Sequence, residues 1–213
     1  MLEYIVKYPS TIQSIFTLHK QELPAHKITL PPNHQFSQKR LADFSTGRYC
    51  AIKALEQLGI QYATIPIGAD RAPIWPEGIV GSISHCDSLT GAIVAKSSDH
   101  ISLGLDIEEI GKVTTDLYDL VFTENEKSYL SNFAGRKLEE QSTAIFSIKE
   151  AFYKYQHPLT KTFLDFLDVE VSLPSMDNVR ILSKQISKES EIRNNRIKYF
   201  FDNDCVISII TKN

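Results

Sequence analysis

The chain has 213 residues, 42% of them hydrophobic and 23% charged, with a formal net charge of -3. This suits one large globular domain or two small ones and excludes a generally basic nucleic-acid binder, so any anionic ligand must be met by local cations. The three cysteines, Cys50, Cys86 and Cys205, are far apart and form no C-x-x-C, which argues against a disulfide scaffold or a zinc site and fits a reducing compartment.

The opening "MLEYIVKYPS" lacks a basic segment followed by an apolar one, so no secretory leader is expected. No apolar run approaches the roughly 20 residues of a membrane-spanning helix, and a cytoplasmic protein without a transmembrane segment is expected. Residues 1–36 mix short apolar runs with Pro24, Pro31 and Pro32 and read as strand and loop. Ser37 is placed to cap a helix through "QKRLADFSTGRYCAIKALEQLG", with Leu41, Phe44, Cys50, Ala51, Ala54, Leu55 and Leu58 as its apolar face and Gly59 at its end. Gly47 inside it costs about 1 kcal/mol of helix propensity and marks a bend or a close backbone approach.

A short strand and a Pro-rich loop follow in "QYATIPIGADRAPIWPEG". "GSISHC" and "TGAIVAKS" read as strands joined near Asp87 and Ser88, and "HISLGLDIEEI" as another. Thr123 and Glu126 stand at capping-box spacing and predict a helix start. A longer helix is predicted over about Leu138 to Tyr155, ending before Pro158. The alternating tail, with turn signals at 176–178 and 202–204, predicts two hairpins. The order predicts an α+β fold of two units, each a helix on a small antiparallel sheet, with the seam near 109–115 and a ligand cleft there.

Two charged motifs lie near that seam. In "LGLDIEEI", Asp106 and Glu108 alternate with Leu103, Leu105 and Ile107, so both carboxylates project to one strand face. Two such acids are either solvated at a strand end or share a cation. In "FSIKEAFYKYQ", Glu150 and Lys154 are four apart, which is ordinary for a surface ion pair. However, Phe146, Ile148, Ala151, Phe152 and Tyr153 surround them, and a buried charge needs a partner or a metal. With Asp106 and Glu108, Glu150 would give three oxygen ligands and no histidine or thiolate. That set suits Mg²⁺ or Mn²⁺. Mg²⁺ commonly binds substrate phosphates as well, and Arg40, Arg48, Arg71, Lys53, Lys149 and Lys154, with Ser82, Ser84 and His85 in "GSISHCD", are the groups available to hold one. No phosphate loop, nucleophile elbow or dinucleotide fingerprint is present, and no cysteine sits in a catalytic setting.

Four blocks, "GRYCAIKAL", "WPEGIVGSISHCDSLTGAIVA", "LGLDIEEI" and "FSIKEAFYKYQHPLTKTFLDFLDVEV", resemble the Sfp-type 4′-phosphopantetheinyl transferases and lean toward their EntD-like branch. The resemblance covers about residues 40–171. It rests on a G-[IVL]-D-x-E motif followed, about forty residues on, by K-E-[AS]-x-x-K. It implies two α+β halves with pseudo-twofold symmetry, 1–110 and 111–213, with the ligand cleft between them. It also implies transfer of the phosphopantetheine arm of coenzyme A to a serine of an apo carrier protein with release of 3′,5′-ADP, dependent on Mg²⁺ (or Mn²⁺). Siderophore-type nonribosomal peptide synthetase carriers, peptidyl or aryl, are favoured, and acyl carriers are the alternative. A monomer with no nucleic-acid partner is expected. On this resemblance Asp106, Glu108 and Glu150 are metal ligands, with Glu150 a candidate base. Lys154 contacts the diphosphate. Arg48, Arg71, Ser84 and His85 hold the nucleotide end, with Arg40 and Lys149 as further contacts. Ile148, where relatives carry tryptophan or alanine, and the extra acid Glu109 depart from the pattern. Residues 1–36 match nothing in it. A Mg²⁺-dependent nucleotide hydrolase and a non-enzymatic carrier-binding module are the rival readings.

Overall fold

A computed structural model describes residues 11–18, 37–62, 64–68, 70–175, 178–183 and 196–212. The chain divides into two compact units, Met1–Leu103 and Gly104–Asn213. The division falls earlier than the expected 110/111 boundary because strand β4 (Ser102–Glu109) belongs, for most of its length, to the sheet of the second unit.

In the first unit, β1 (Ile12–Leu18), β2 (Ile79–His85) and β3 (Leu89–Lys96) form an antiparallel sheet in the order β1-β3-β2. The rest of the expected N-terminal strand-and-loop segment lies outside the described residues. Helix α1 (Gln38–Gln57) starts where the Ser37 hydroxyl accepts the Arg40 N–H, as its sequence predicts. Tyr49, Cys50, Ile52, Ala54 and Leu55 of α1 pack with Ile15, Ala92, Val94 and Ile79 in one core. Gly47 is accounted for by this packing: a Cβ there would sit 2.8 Å from Ile83 Cγ2. Gly81 leaves room for the Trp75 ring, 2.6 Å from where its Cβ would stand.

The second unit repeats the plan. Its sheet has the order β4-β8-β7, with β7 (Arg196–Asp202) antiparallel to β8 (Cys205–Lys212) across the turn at Asn203. A separate hairpin joins β5 (Val169–Ser175) and β6 (Asn178–Ser183). Two short helices, α2 (Tyr118–Val121) and α3 (Glu124–Leu130), precede the long helix α4 (Gly135–Thr160). The capping box read from Thr123 and Glu126 is present at α3.

Helix α4 is longer than predicted and carries Pro158 inside its last turn. Proline removes a single N–H there, and the helix ends two residues later at Thr160, where the left-handed backbone of the next residue, Lys161 (φ 54°), supplies the stop. Ala144, Ile145, Ile148, Ala151 and Phe152 of α4 share a core with Val206, Ile210, Val169 and Val171.

Candidate functional site

The acidic constellation lies in the second unit, and a glycine makes it possible. Gly104, Asp106 and Glu108 alternate along one face of β4. A Cβ at Gly104 would stand 2.0 Å from the Ala151 carbonyl oxygen, so only glycine lets the α4 backbone lie directly on the strand. Glu150 and Lys154 flank Ala151 within one helical turn and are thereby brought to the carboxylates. Lys154 Nζ donates to Asp106 Oδ1 at 2.7 Å, with the aspartate side chain 3% exposed and the lysine side chain 29% exposed. Burial works against the Lys154 charge. The charge and hydrogen bond of Asp106, followed by Glu150 and Glu108, outweigh it and hold the ammonium above its ordinary range. Burial raises the Glu150 carboxyl, Lys154 lowers it, and the charge of Asp106 raises it further. The four residues named from the sequence therefore feel one another's charge, with Lys154 as the cation among three acids. Among the described residues no three histidine, cysteine or acidic side chains are gathered into a ready-made metal cage.

Lys149 does not join them. Its side chain is 1% exposed, and its ammonium donates to the Val121 carbonyl (2.8 Å), Glu126 Oε2 (2.7 Å) and the Phe166 carbonyl (2.9 Å). All three N–H groups of a lysine are thus committed to protein acceptors, and the expected contact with a nucleotide gives way to an internal one. Burial lowers its pKa, while the charge and hydrogen bond of Glu126 oppose the shift. The sequence carried a signal for this. Lys149 falls on the buried stripe of Ile145, Ile148 and Phe152, at helical spacing, and a lysine there requires a buried acid.

An apolar pocket of about 270 Å³ is lined by Lys149, Glu150, Phe152 and Tyr153 of α4 and by Phe163, Leu164, Asp165, Phe166 and Val169. Phe163 is 74% exposed at this pocket, and its ring meets Tyr153 edge-on at 6.0 Å. The sequence marked "TKTFLDF" only as part of a matching block, because aromatic residues after a helix read equally well as core.

The basic residues lie in the first unit. Arg40, Arg48, Arg71 and His85 line one pocket of about 260 Å³ with Asp43, Phe44, Gly47, Ile67, Pro73 and Ile83. Arg48 is 7% exposed; its Nε donates to the Ile65 carbonyl at 2.9 Å, and its guanidinium lies over the Phe44 ring at 4.5 Å. Burial pushes its pKa down to about 10, which leaves it charged at neutral pH. Arg71 has a left-handed backbone (φ 66°), held by its N–H to the Gly68 carbonyl and by the Gly68 N–H to the Ala72 carbonyl. A strained arginine held this way presents its charge from a fixed loop. His85 shares a strand face with Ile83, while Ser84 alternates to the other face, is buried, and is not among the pocket-lining residues. Asp43 was not singled out from sequence. Its Oδ2 is 3.9 Å from His85 Nδ1, an ion pair when the imidazole is protonated. Lys53 pairs with Glu56 at 2.7 Å and takes no part in the pocket.

Residues 32–95 match the 4′-phosphopantetheinyl transferase N-terminal domain, and residues 102–209 match the 4′-phosphopantetheinyl transferase superfamily. The chain is 32% identical to the 4′-phosphopantetheinyl transferase Npt of Nocardia iowensis, over 83% of this chain and 78% of that protein. It is 38% identical to the transferase Svp of Streptomyces mobaraensis over 63% of this chain, a match that spans just over half of that relative's length (55%). It is 35% identical to enterobactin synthase component D of Escherichia coli strain K12, over 63% of this chain and 62% of the relative.

Proposed function

The chain belongs to the 4′-phosphopantetheinyl transferase superfamily, and we propose that it moves the phosphopantetheine arm of coenzyme A onto a serine of an apo carrier protein. The observation that carries this reading is the Lys154–Asp106 contact at 2.7 Å, made on a helix that also brings Glu150 within reach of the same charges. Transfer between two bound substrates needs charge neutralisation and a proton acceptor, with no nucleophile from the protein.

The donor set fits Mg²⁺. Asp106, Glu108 and Glu150 offer only carboxylate oxygens, and Mg²⁺ is ordinarily held by one or two carboxylates together with waters and substrate phosphate oxygens. When bound, the ion withdraws electron density from the diphosphate oxygens. Lys154 adds a second positive charge at the diphosphate. The serine oxygen forms a bond to the phosphorus that bears pantetheine, and the bond from that phosphorus to the bridging oxygen breaks. The leaving group is 3′,5′-ADP, and the serine proton goes to the Glu150 carboxylate. A carboxyl raised by burial is better matched to this task than an ordinary one.

Arg40, Arg48, Arg71 and His85 supply the grip for the nucleotide and its 3′-phosphate, where guanidinium forks suit phosphate geometry. The apolar pocket beside Glu150 suits the uncharged pantetheine arm. Kinship with enterobactin synthase component D makes siderophore-type peptidyl and aryl carrier domains the first substrates to try.

The test mixes the protein with coenzyme A, Mg²⁺ and a panel of apo carriers, and weighs the carriers. One phosphopantetheine is expected per carrier, with an equal yield of 3′,5′-ADP and none after EDTA. Release of 3′,5′-ADP in the absence of any carrier would favour hydrolysis instead. Carrier binding without mass gain would favour a docking module.

A further inference from the structure

The coenzyme A reading leaves Lys149 without a role in the chemistry, yet the fold invests three hydrogen bonds and a buried counterion in it. Glu126 is as buried as the lysine, each side chain being 1% exposed. Besides Lys149, Glu126 Oε2 accepts the Thr123 N–H at 2.8 Å, and Oε1 accepts the Val171 N–H at 2.7 Å. One ion pair therefore ties four pieces of chain to a single point: the end of α2 at Val121, the cap of α3 at Thr123, the start of β5 at Val171, and the 3-10 turn at Phe166.

Buried ion pairs contribute little net stability compared with apolar packing, so the use of this one is in the geometry it imposes. That point lies on α4 one residue before Glu150. The pocket beside Glu150 has α4 as one wall and residues 163–166 as the other. The second wall has no regular structure before Phe166. It is held by the bond from Lys149 to the Phe166 carbonyl and by the stacking of Phe166 on Phe146 at 5.2 Å.

We infer that Lys149, with Glu126, is a positioning residue that sets the width of the apolar pocket and thereby the enzyme's affinity for the arm of coenzyme A, without touching the nucleotide. This rests on the coenzyme A reading above, and it assigns Lys149 the opposite duty to the phosphate contact expected from its place in the motif.

The two ligands that separate these duties are coenzyme A, which has the arm, and 3′,5′-ADP, which lacks it. Titration calorimetry of Lys149→Met/Glu126→Gln, which removes both buried charges together, is expected to show coenzyme A weakened about tenfold or more and 3′,5′-ADP held within about twofold. Equal weakening of both ligands, or no change in coenzyme A, would overturn the inference. Phe166→Ala keeps the ion pair but thins the wall, and the same selective loss is expected of it. Should the double variant fail to fold, full coenzyme A affinity in Phe166→Ala would overturn the inference on its own. A wild-type protein that binds no coenzyme A sinks the transferase reading as well, whereas one that binds it with selectivity unchanged in the variants sinks this inference alone.

Discussion

Glu150 and Arg71 both hold conformations or charges that cost stability, and each cost predicts a measurement. The Glu150 carboxyl is held above its ordinary value of 4.5, chiefly by burial. A carboxyl raised in the folded state destabilises the fold when ionised, fully above its folded pKa and not at all below its unfolded one. Glu150→Gln should therefore abolish transfer yet raise the melting temperature in EDTA at pH 8. That gain should shrink as pH falls toward 4.5. A gain that grows with acid would contradict the burial of this group. Arg71 adopts φ 66° without being glycine. Arg71→Gly is expected to stabilise the protein by about 1 kcal/mol in denaturant titration while weakening 3′,5′-ADP. Both roles were partly legible as letters, an acid after a lysine and an arginine among prolines. The sign of each cost was not, because it depends on burial and backbone angle. Lys149 shows the limit most clearly. It is adjacent to Glu150 in sequence and lines the same pocket, but successive helical residues point about 100° apart, and its ammonium turns inward to Glu126 while Glu150 turns toward Lys154 and Asp106. The motif alone did not say which would turn inward.

At the scale of elements, the site depends on how closely α4 lies on β4. Gly104→Ala would place a methyl group 2.0 Å from a backbone oxygen of the helix. A helix backbone cannot turn aside as a side chain can, so α4 must move away from Asp106. The expected cost is about 3 kcal/mol, or about 6–12 °C in melting temperature, with transfer lost. Gly47→Ala is the comparison: its Cβ would meet side chains and no backbone, the Ile83 Cγ2 methyl at 2.8 Å and the Thr90 Cγ2 methyl at 4.0 Å, and alanine improves helix propensity. It should change stability by no more than about 1 kcal/mol. Equal losses in the two variants would mean that helix approach is not what Gly104 provides. The helix start at Ser37, the capping box at Thr123 and the strand carrying Asp106 were all legible, since caps and alternation are local signals. The continuation of α4 through Pro158 and the short α2 were not. The first is set by where the left-handed Lys161 can fall. The second is four residues long and too short for any periodicity to show.

At the scale of the whole molecule, a chain of net charge -3 carries opposite local charges in its two units. The pocket of the first unit holds three arginines and a histidine against Asp43, and the site of the second holds three acids around Lys154. Cations in one unit suit phosphate groups and acids in the other suit a divalent cation, a division of chemistry that each unit carries by itself. It predicts that the two sets can be separated by chelation. In EDTA, 3′,5′-ADP should still bind, and Arg40→Ala should weaken it about tenfold, the loss of one charge-assisted phosphate contact. Asp106→Asn should leave that binding unchanged or tighten it, because it removes a negative charge and the partner of Lys154. With Mg²⁺ restored and coenzyme A as ligand, both substitutions should cost affinity, since Asp106 would then help to hold a cation that offsets the diphosphate charge. If Asp106→Asn weakened 3′,5′-ADP in EDTA as much as Arg40→Ala does, the acids would be acting on the nucleotide without a metal. The assignment of one set to the cation and the other to the phosphate would then have to be abandoned.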